Sequence, residues 1–198
     1  MSTWHWERIE KLWKEPQHTT SVFAIMEGRL YASMGKLAPY ALYATSDGIH
    51  WTDVVQGRLP DYLTDGFRIA AVDDTLVATL TQWYTDCPVQ VWRYHQDRWE
   101  IINEPGFGFA DNHMAGGLSV HQGHVSLATW NEKRGTQVWT CDDVMHPVWR
   151  QINQDGFGDP CNLGCVFGMT HFADRLYVGT AMHRDHRASQ LWAGMETT

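Results

Sequence analysis

A repeat runs along the chain and restricts the folds that it can adopt. Four segments contain an aliphatic residue followed by an aromatic one: Leu42-Tyr43, Val91-Trp92, Val138-Trp139 and Leu191-Trp192. The aromatic residues of successive pairs are 49, 47 and 53 positions apart. Each of the first three pairs is followed by a second aromatic residue: Trp51, Trp99 and Trp149. A period of this size indicates one small structural unit that occurs four times.

Each repeat is predicted to contain four β-strands, of which the last two carry the aromatic residues. The inner strands are expected at 21–26, 68–72, 117–121 and 166–172, and the second strands at 30–34, 76–80, 125–130 and 176–180. The dipeptides between them suit hairpin turns: Glu27-Gly28, Asp73-Asp74, Gln122-Gly123 and Ala173-Asp174. Such units predict an all-β fold, a four-bladed β-propeller in one domain. Its repeats would be 19–64, 65–112, 113–162 and 163–198, with 1–18 added to the last.

The last repeat lacks its second aromatic strand, and a matching segment stands at the N-terminus. The residues WERI at 6–9 are similar to WEII at 99–102 and WRQI at 149–152. An unclosed row of sheets leaves strand edges unpaired, so we expect this N-terminal strand to complete the last blade and close the ring. The alternative is a homodimer in which two chains form a larger ring.

Two segments resemble known propeller repeats. Residues 45–51, TSDGIHW, are similar to the Asp-box of sialidase-type propellers, although Asp47 lies four residues before Trp51 where the Asp-box has five. Residues 155–160, DGFGDP, together with 176–180, LYVGT, are similar to bacterial kelch-like repeats. These motifs are architectural. The resemblance therefore implies a fold and no catalytic residue.

The charge and the composition exclude several classes of partner. The formal net charge is −8, which argues against nucleic acid or an anionic membrane surface. No apolar stretch approaches the roughly 20 residues of a membrane span, and residues 1–14 lack the apolar core of a secretory signal. We therefore expect a cytoplasmic protein whose four cysteines are reduced thiols.

The loops that differ between the repeats are the candidate binding segments. In propellers that this chain resembles, the loops that enter the inner strands and those that join second to third strands share one face. Repeated sites would need repeated residues, so the differences predict one asymmetric site for a small metabolite or glycan. Its candidate ligand-binding residues are Trp83, Tyr84, Trp130, Asn131, Asn112 and Asn162. Packing is the alternative role for the loop aromatic residues.

Histidines on the same face suggest an alternative function. His113 and His183 are candidate acid–base residues of a non-redox enzyme, such as a lyase, a cyclase or an isomerase. His113 would need a carboxylate, such as Asp111 or Asp159, to orient its ring. The simpler interpretation is that Asn112 and His113 cap a turn. A third interpretation, a platform for protein partners, stays open.

The last repeat contains a candidate metal site. His183 and His186 are three residues apart, and Cys161 and Cys165 belong to the same predicted blade, a donor set that suits Zn²⁺. An exposed polar loop without a metal explains the same residues. The sequence lacks the readable dinucleotide, phosphate-binding and zinc-protease motifs, so no other cofactor is expected.

Overall fold

The computed structural model describes residues 5, 22–34, 39–82, 87–185 and 188–196. The ring closure expected at residues 6–9 lies outside this part of the chain. Regular structure in the described residues consists of fifteen β-strands and two 3₁₀ turns, at Pro105–Gly108 and Asp155–Gly158, so the predicted all-β fold is confirmed. Within the same residues, no helix has the length and the apolar character that crossing a membrane requires.

The strands follow one another as antiparallel meanders. The first sheet contains β1 (Val22–Met26), β2 (Arg29–Met34), β3 (Ala41–Thr45) and β4 (Thr52–Asp53). The second contains β5 (Asp65–Val72), β6 (Thr75–Thr81), β7 (Gln90–His95) and β8 (Arg98–Ile101). The third repeat forms β9 (Asn112–His121), β10 (His124–Asn131), β11 (Val138–Cys141) and β12 (Trp149–Gln151). The last repeat forms β13 (Asn162–Phe172), β14 (Arg175–His183) and β15 (Gln190–Gly194).

The third and fourth repeats share one sheet, whereas the sequence predicts a separate sheet for each. Trp130 of β10 pairs with Gly164 of β13, and this pairing joins the two meanders into seven strands. A Cβ atom at position 164 would lie 3.0 Å from Cβ of Trp130. Glycine therefore permits the two backbones to approach closely enough to pair.

Three inner strands begin earlier than the sequence predicts. β5, β9 and β13 begin at Asp65, Asn112 and Asn162 rather than at residues 68, 117 and 166. In each of the three hairpins, the register with the second strand shifts before the pairing continues. Such irregularities let a strand extend past a kink, so the inner strands reach the loops of the previous repeat.

The apolar core lies between successive repeats. The first strand of each repeat packs on the first strand of the next, from β1 to β5, β5 to β9 and β9 to β13. The buried side chains form one cluster between each pair of neighbours, with Leu42 and Leu80 in the first, Val91 and Leu127 in the second and Val178 in the third. Each repeat is therefore stabilised by its neighbours rather than by a core of its own.

A tryptophan links the fourth strand of the second repeat, and that of the third, to the preceding repeat. The indole N–H of Trp99 donates to the carbonyl oxygen of Val54 at 3.2 Å. In the next repeat, the indole of Trp149 donates to the carbonyl oxygen of Ile102 at 2.6 Å. Both acceptors lie three residues after the equivalent tryptophan of the previous repeat. The bond therefore recurs in the second and third repeats, whereas the indole N–H of Trp51, the equivalent residue of the first repeat, is enclosed without a hydrogen-bond partner.

Two loops with the sequence Gly-Phe-Gly have the same unusual backbone. Gly106, Phe107 and Gly108 all have positive φ angles of 63°, 58° and 79°, and residues 156–158 repeat them closely. The Phe107 ring stacks on Trp139 with 4.6 Å between centroids, and Phe157 stacks on Trp192 at the same distance. The turn thus places an aromatic ring between neighbouring repeats, which compensates for its backbone strain.

A histidine pair lies between the third and fourth repeats. The rings of His121 and His171 stack with 4.8 Å between centroids, and Ser119 Oγ lies 3.0 Å from Nδ1 of His171. Burial, followed by the proximity of His121 and His124, lowers the pKa of His171 below 6.5. The folded protein therefore favours a neutral His171.

We predict that position 135 requires glycine, because any side chain there would collide with the backbone of Gly156. Gly135 and Gly123 both have a φ of +82°, but a Cβ at 135 would lie 2.7 Å from Cα of Gly156, whereas nothing surrounds Gly123 within 4 Å. Gly123→Ala should lower the free energy of unfolding by about 1 kcal/mol, through backbone strain alone. Gly135→Ala should cost about 2–4 kcal/mol, because overpacking is added. Urea denaturation measures both, and equal losses would contradict the close contact.

We also predict that stability falls with acidification around the histidine pair. An unfolded His171 binds a proton near pH 6.5 and the folded one only at lower pH, so stability decreases as the pH falls below about 6.5. His171→Gln should therefore weaken the pH dependence of the melting temperature between pH 7 and pH 5. His50→Gln is the control, since the His50 side chain is 86% exposed. An unchanged dependence in His171→Gln would show that the pair does not control acid stability.

Candidate functional site

The predicted site residues gather where the inner strands begin. β5, β9 and β13 begin with Asp65, Asn112 and Asn162, and these residues pair across their hairpins with Thr81, Asn131 and His183. We call this end of the sheets, together with its loops, the entry face. The structure thus places the backbones of Asn112 and Asn162 at equivalent positions, and those of Asn131 and His183 at the positions that pair with them.

The asparagines of the third repeat are part of the scaffold. Asn112 and Asn131 are completely buried, and the Asn131 side-chain amide donates to Oδ1 of Asn112 at 2.9 Å. Nδ2 of Asn112 donates to the carbonyl of Gly106 at 2.8 Å and to Oε1 of Gln137 at 2.7 Å. These bonds hold the Gly-Phe-Gly loop against the sheet. In this arrangement, neither amide presents a surface to a ligand.

Asn162 has the same role in the last repeat. It is 2% exposed, and its Nδ2 donates to the carbonyl of Gly156 and to Oε1 of Gln190, both at 3.0 Å. The repeated position, six residues after the first glycine of the loop, suggests a structural role for this residue type. The burial of both strand-initial asparagines places them behind the surface that a ligand would contact.

The hydrogen bonds of the buried side-chain amides extend to the carboxylate of Asp155. Gln137 and Gln151 donate to Oδ1 of Asp155 at 2.8 and 2.9 Å, and Arg134 lies 3.4 Å from Oδ2. Burial by itself raises the pKa of Asp155, but these hydrogen bonds and the Arg134 charge outweigh it, so the pKa lies below its ordinary value. The charged Asp155 carboxylate therefore accepts from two glutamine amides, and these bonds hold the loop that precedes Asn162.

His113 differs from its counterparts in the other repeats. It follows Asn112 on β9, where β5 has Gly66 and β13 has Leu163. The backbone carbonyl of His113 accepts a hydrogen bond from Oγ1 of Thr81 at 2.7 Å, which ties β9 to the end of β6. Nδ1 of the ring is enclosed and has no hydrogen-bond partner. An enclosed ring nitrogen without a partner is costly, so a polar group that bonded to this atom would stabilise the protein.

The carboxylates expected beside His113 have other partners. Oδ1 of Asp111 forms an ion pair with Nζ of Lys133 at 2.7 Å. Oδ1 of Asp159 accepts the backbone N–H of Cys161 at 3.0 Å. An acid–base role for His113 therefore stays a prediction, without an orienting carboxylate contact described for its ring.

The aromatic residues of the predicted site are only partly described. Trp130 is half buried at the junction of β10 and β13, where it faces Gly164. Trp83 and Tyr84 lie outside the described residues, in the segment between β6 and β7. Nearby, the Arg134 guanidinium lies 4.6 Å above the Phe109 ring, a cation–π contact on the rim of the third repeat.

Two of the predicted metal ligands, Cys161 and His183, lie near each other along the backbone. Asn162 pairs with His183, and the N–H of Arg184 donates to the carbonyl of Cys161 at 2.9 Å. Desolvation, with the nearby Asp185 and Asp159, raises the pKa of the free Cys161 thiol. Side chains of His183 and Cys165, and all of His186, lie outside the described residues. Within those residues, no group of three or more potential ligands is arranged for a metal.

A groove between the second and third repeats was not predicted. It has a volume of about 420 Å³, and its walls include aromatic and polar side chains of both repeats: Asn103, Glu104, Phe107, Trp139 and Trp149. Phe107 already stacks on Trp139 and meets Trp149 edge-on at 5.3 Å. Trp139 and Trp149 are interpreted from the sequence as the aromatic residues of the repeat. Their spacing is explained by strand packing, so it did not indicate a groove.

Comparisons with known proteins identify the fold. No protein-family model matches the sequence, and no curated protein is similar to it. PorZ, a surface component of the type-IX secretion system of Porphyromonas gingivalis, matches 87% of this chain and 24% of its own length, with a TM-score of 0.59 and 12% identity. An arabinanase from Bacillus subtilis matches 84% of this chain and 66% of its own length, with a TM-score of 0.50 and 13% identity.

A third match is a β-xylosidase/α-arabinofuranosidase from a compost metagenome, solved with xylotriose. It covers 96% of this chain and 77% of its own length, with a TM-score of 0.51 and 10% identity. The matched glycosidases of this type are five-bladed β-propellers. The chain has a β-propeller fold. It spans about a quarter of PorZ and about two thirds of the arabinanase, and these identities show the fold alone.

We predict that Asn112 stabilises the fold. Asn112→Ala would leave the buried groups of Gly106, Asn131 and Gln137 without this partner, at a cost of about 2–4 kcal/mol in the free energy of unfolding. Lys133→Ala removes only the ion pair with Asp111 from a side chain that is 74% exposed, and should cost less than about 1 kcal/mol. Urea denaturation compares the two variants. A loss in Asn112→Ala as small as in Lys133→Ala would contradict the scaffold role.

Proposed function

We propose that the protein binds one small, polar, uncharged organic molecule, a glycan or a metabolite, at the entry face around His113. The observation that carries this proposal is the enclosed Nδ1 of His113, which has no partner in a site where the neighbouring amides are satisfied. The His113 side chain is partly exposed, so a rotation of its ring would turn Nδ1 towards the entry face. A ligand hydroxyl could then donate to this nitrogen or accept from it, depending on the tautomer. Binding would then remove an unfavourable feature of the free protein.

The asymmetry of the entry face supports a single site. The scaffold residues repeat, with Asn112 and Asn162 in equivalent positions, whereas His113 stands where β5 and β13 have Gly66 and Leu163. A protein with one equivalent site per repeat would repeat the contact residues instead. The proposal places the site inside a ring of four blades, consistent with the order in which β1, β5, β9 and β13 pack.

The charges near His113 favour an uncharged ligand. Asp111 and Lys133, on the two loops beside it, neutralise each other through a 2.7 Å ion pair. The chain as a whole has a formal charge of −8, which disfavours anions. Proteins of similar fold include an arabinanase and a β-xylosidase, whose substrates are neutral sugars by name. A neutral oligosaccharide is therefore the first ligand class to test.

The structure changes which residues we assign to this site. Asn112, Asn131 and Asn162 hold loops, and their role would be to position His113. Trp130, half buried beside the entry face, is the described aromatic candidate for stacking on a sugar ring. Trp83 and Tyr84 remain candidates for the same role on the next loop.

The proposal predicts that His113 and Trp130 control ligand affinity. Calorimetric titrations with arabino- and xylo-oligosaccharides, followed by a panel of neutral metabolites, would identify the ligand. His113→Phe removes the ring nitrogens and should weaken binding at least about tenfold, which corresponds to one lost hydrogen bond to a buried group. Trp130→Ala and Trp83→Ala should also weaken it, through lost stacking. His50→Gln is the control, because His50 lies on an exposed turn.

Two results would contradict the proposal. One is a bound ligand whose affinity is unchanged in His113→Phe and in both tryptophan variants, provided that these variants keep their melting temperatures. The other is the absence of binding by every neutral oligosaccharide and metabolite in the panel. A shift of the His113 imidazole nitrogen resonances on addition of the ligand would support direct contact.

A further inference from the structure

The groove between the second and third repeats has a carboxylate where other repeats have an amide. Glu104 stands five residues after the fourth-strand tryptophan, and the first and third repeats have Gln56 and Gln154 at that distance. A Cβ on Gly108 would lie 3.4 Å from the Glu104 carboxylate. A Cβ on Gly158 would lie 3.5 Å from the amide oxygen of Gln154. The two side chains thus have similar places in their loops, and the repeat itself does not require the charge.

The charge of Glu104 is not neutralised by the protein around it. Among the described residues, no cationic side chain forms an ion pair with this exposed carboxylate. Arg93 reaches the turn between β11 and β12, where it donates to the carbonyl groups of Val144 and Met145 at 2.7 and 2.8 Å. Its charge, however, is paired with Glu100. The groove is therefore negative, and the formal charge of −8 on the whole chain adds to its attraction for a cation.

The aromatic walls of the groove offer ring surface rather than hydrogen-bond donors. Trp139 is nearly parallel to the Phe107 ring, at 13°, whereas Trp149 meets it at 69°. The indole N–H of Trp149 already donates to the carbonyl of Ile102. The indole N–H of Trp139 is enclosed, so it does not reach a ligand in the groove. Two indoles in different orientations and a nearby carboxylate are features of sites that hold a cation against aromatic faces.

The hydrogen-bond acceptors beside these rings are used within the protein. Oδ1 of Asn103 accepts the N–H of Val91 at 2.7 Å, and the carbonyl of Glu104 accepts the N–H of Phe107 at 2.7 Å. The carbonyl of Ile102 is bonded to an indole. A cation with several N–H groups would lose its hydration here without equivalent new bonds. An alkylated ammonium ion has few or no N–H groups and an apolar surface, so it suits this groove better.

We propose that this groove is a second binding site, for a small organic cation with an alkylated ammonium group. The alkyl groups lie against the rings of Trp139 and Trp149, and the Glu104 carboxylate supplies the opposite charge. The groove volume of about 420 Å³ is that of a site for a small molecule. The site is independent of the proposed site at His113, which recognises an uncharged ligand through a ring nitrogen.

The test is a titration of the full-length protein with choline, with its neutral isostere 3,3-dimethylbutan-1-ol and with ethanolamine, which lacks the alkyl groups. Choline should bind more tightly than either. Glu104→Gln introduces the residue type of the equivalent positions, so it should keep the melting temperature and weaken choline binding about three- to fivefold. It should leave binding of the neutral isostere unchanged. Glu132→Gln, on the exposed loop after β10, is the control for the loss of one negative charge.

A second measurement locates the cation without any variant. The indole N–H resonances of Trp139 and Trp149 should shift when choline is added, whereas that of Trp99, buried between the first two repeats, should not.

Three results would overturn the proposal: equal affinity for choline in Glu104→Gln and the unmodified protein, an isostere or ethanolamine that binds as tightly as choline, and unshifted resonances of both groove tryptophans. His113→Phe should leave choline binding unchanged, so this site and the proposed site at the entry face can fail separately. A loss of choline binding in His113→Phe would contradict their independence.

Discussion

The contact of each repeat with its predecessor is the constraint on which the rest of the structure depends. An indole ring supplies a large apolar surface together with one directional donor, so it fixes both the spacing and the rotation between two sheets. Trp99 and Trp149 do this with carbonyl groups of the preceding repeat. Each of these fourth strands leads into the loop that precedes the inner strand of the next repeat. The positions of Asn112 and Asn162, and therefore of the entry face, depend on that contact.

At the entry face, the buried side-chain amides are satisfied within the protein, whereas Nδ1 of His113 is not. The amides of Asn112, Asn131 and Asn162 bond to one another, to glutamines and to loop carbonyls, so their hydrogen-bonding capacity is used within the protein. Nδ1 of His113 is enclosed beside them without a partner. A satisfied framework around an unsatisfied ring nitrogen suits recognition of a polar ligand, because the His113 ring has to turn on binding while the framework stays in place.

Much of the fold follows from the sequence because its signals are local and repeated. Hairpin turns, alternating strands and the aromatic period predict the β-meanders. The early starts of β5, β9 and β13 were missed because the register shifts depend on how the hairpins pack. Asn112 and Asn162 were predicted to bind a ligand, and the structure buries both amides in hydrogen bonds of the scaffold. Their recurrence at one repeat position is the sequence signal for that structural role. The contact of His121 with His171 joins different repeats, and no local pattern encodes it.

The pairing of Trp130 with Gly164 sets the junction of the last two repeats apart from the other junctions. The first two repeats form separate sheets, whereas the sheets of the last two repeats meet at this pair. A Cβ atom at position 164 would lie 3.1 Å from Cδ2 of the Trp130 indole. The glycine therefore leaves the indole the space that it occupies. A residue without a side chain thus determines where an aromatic surface stands beside the entry face.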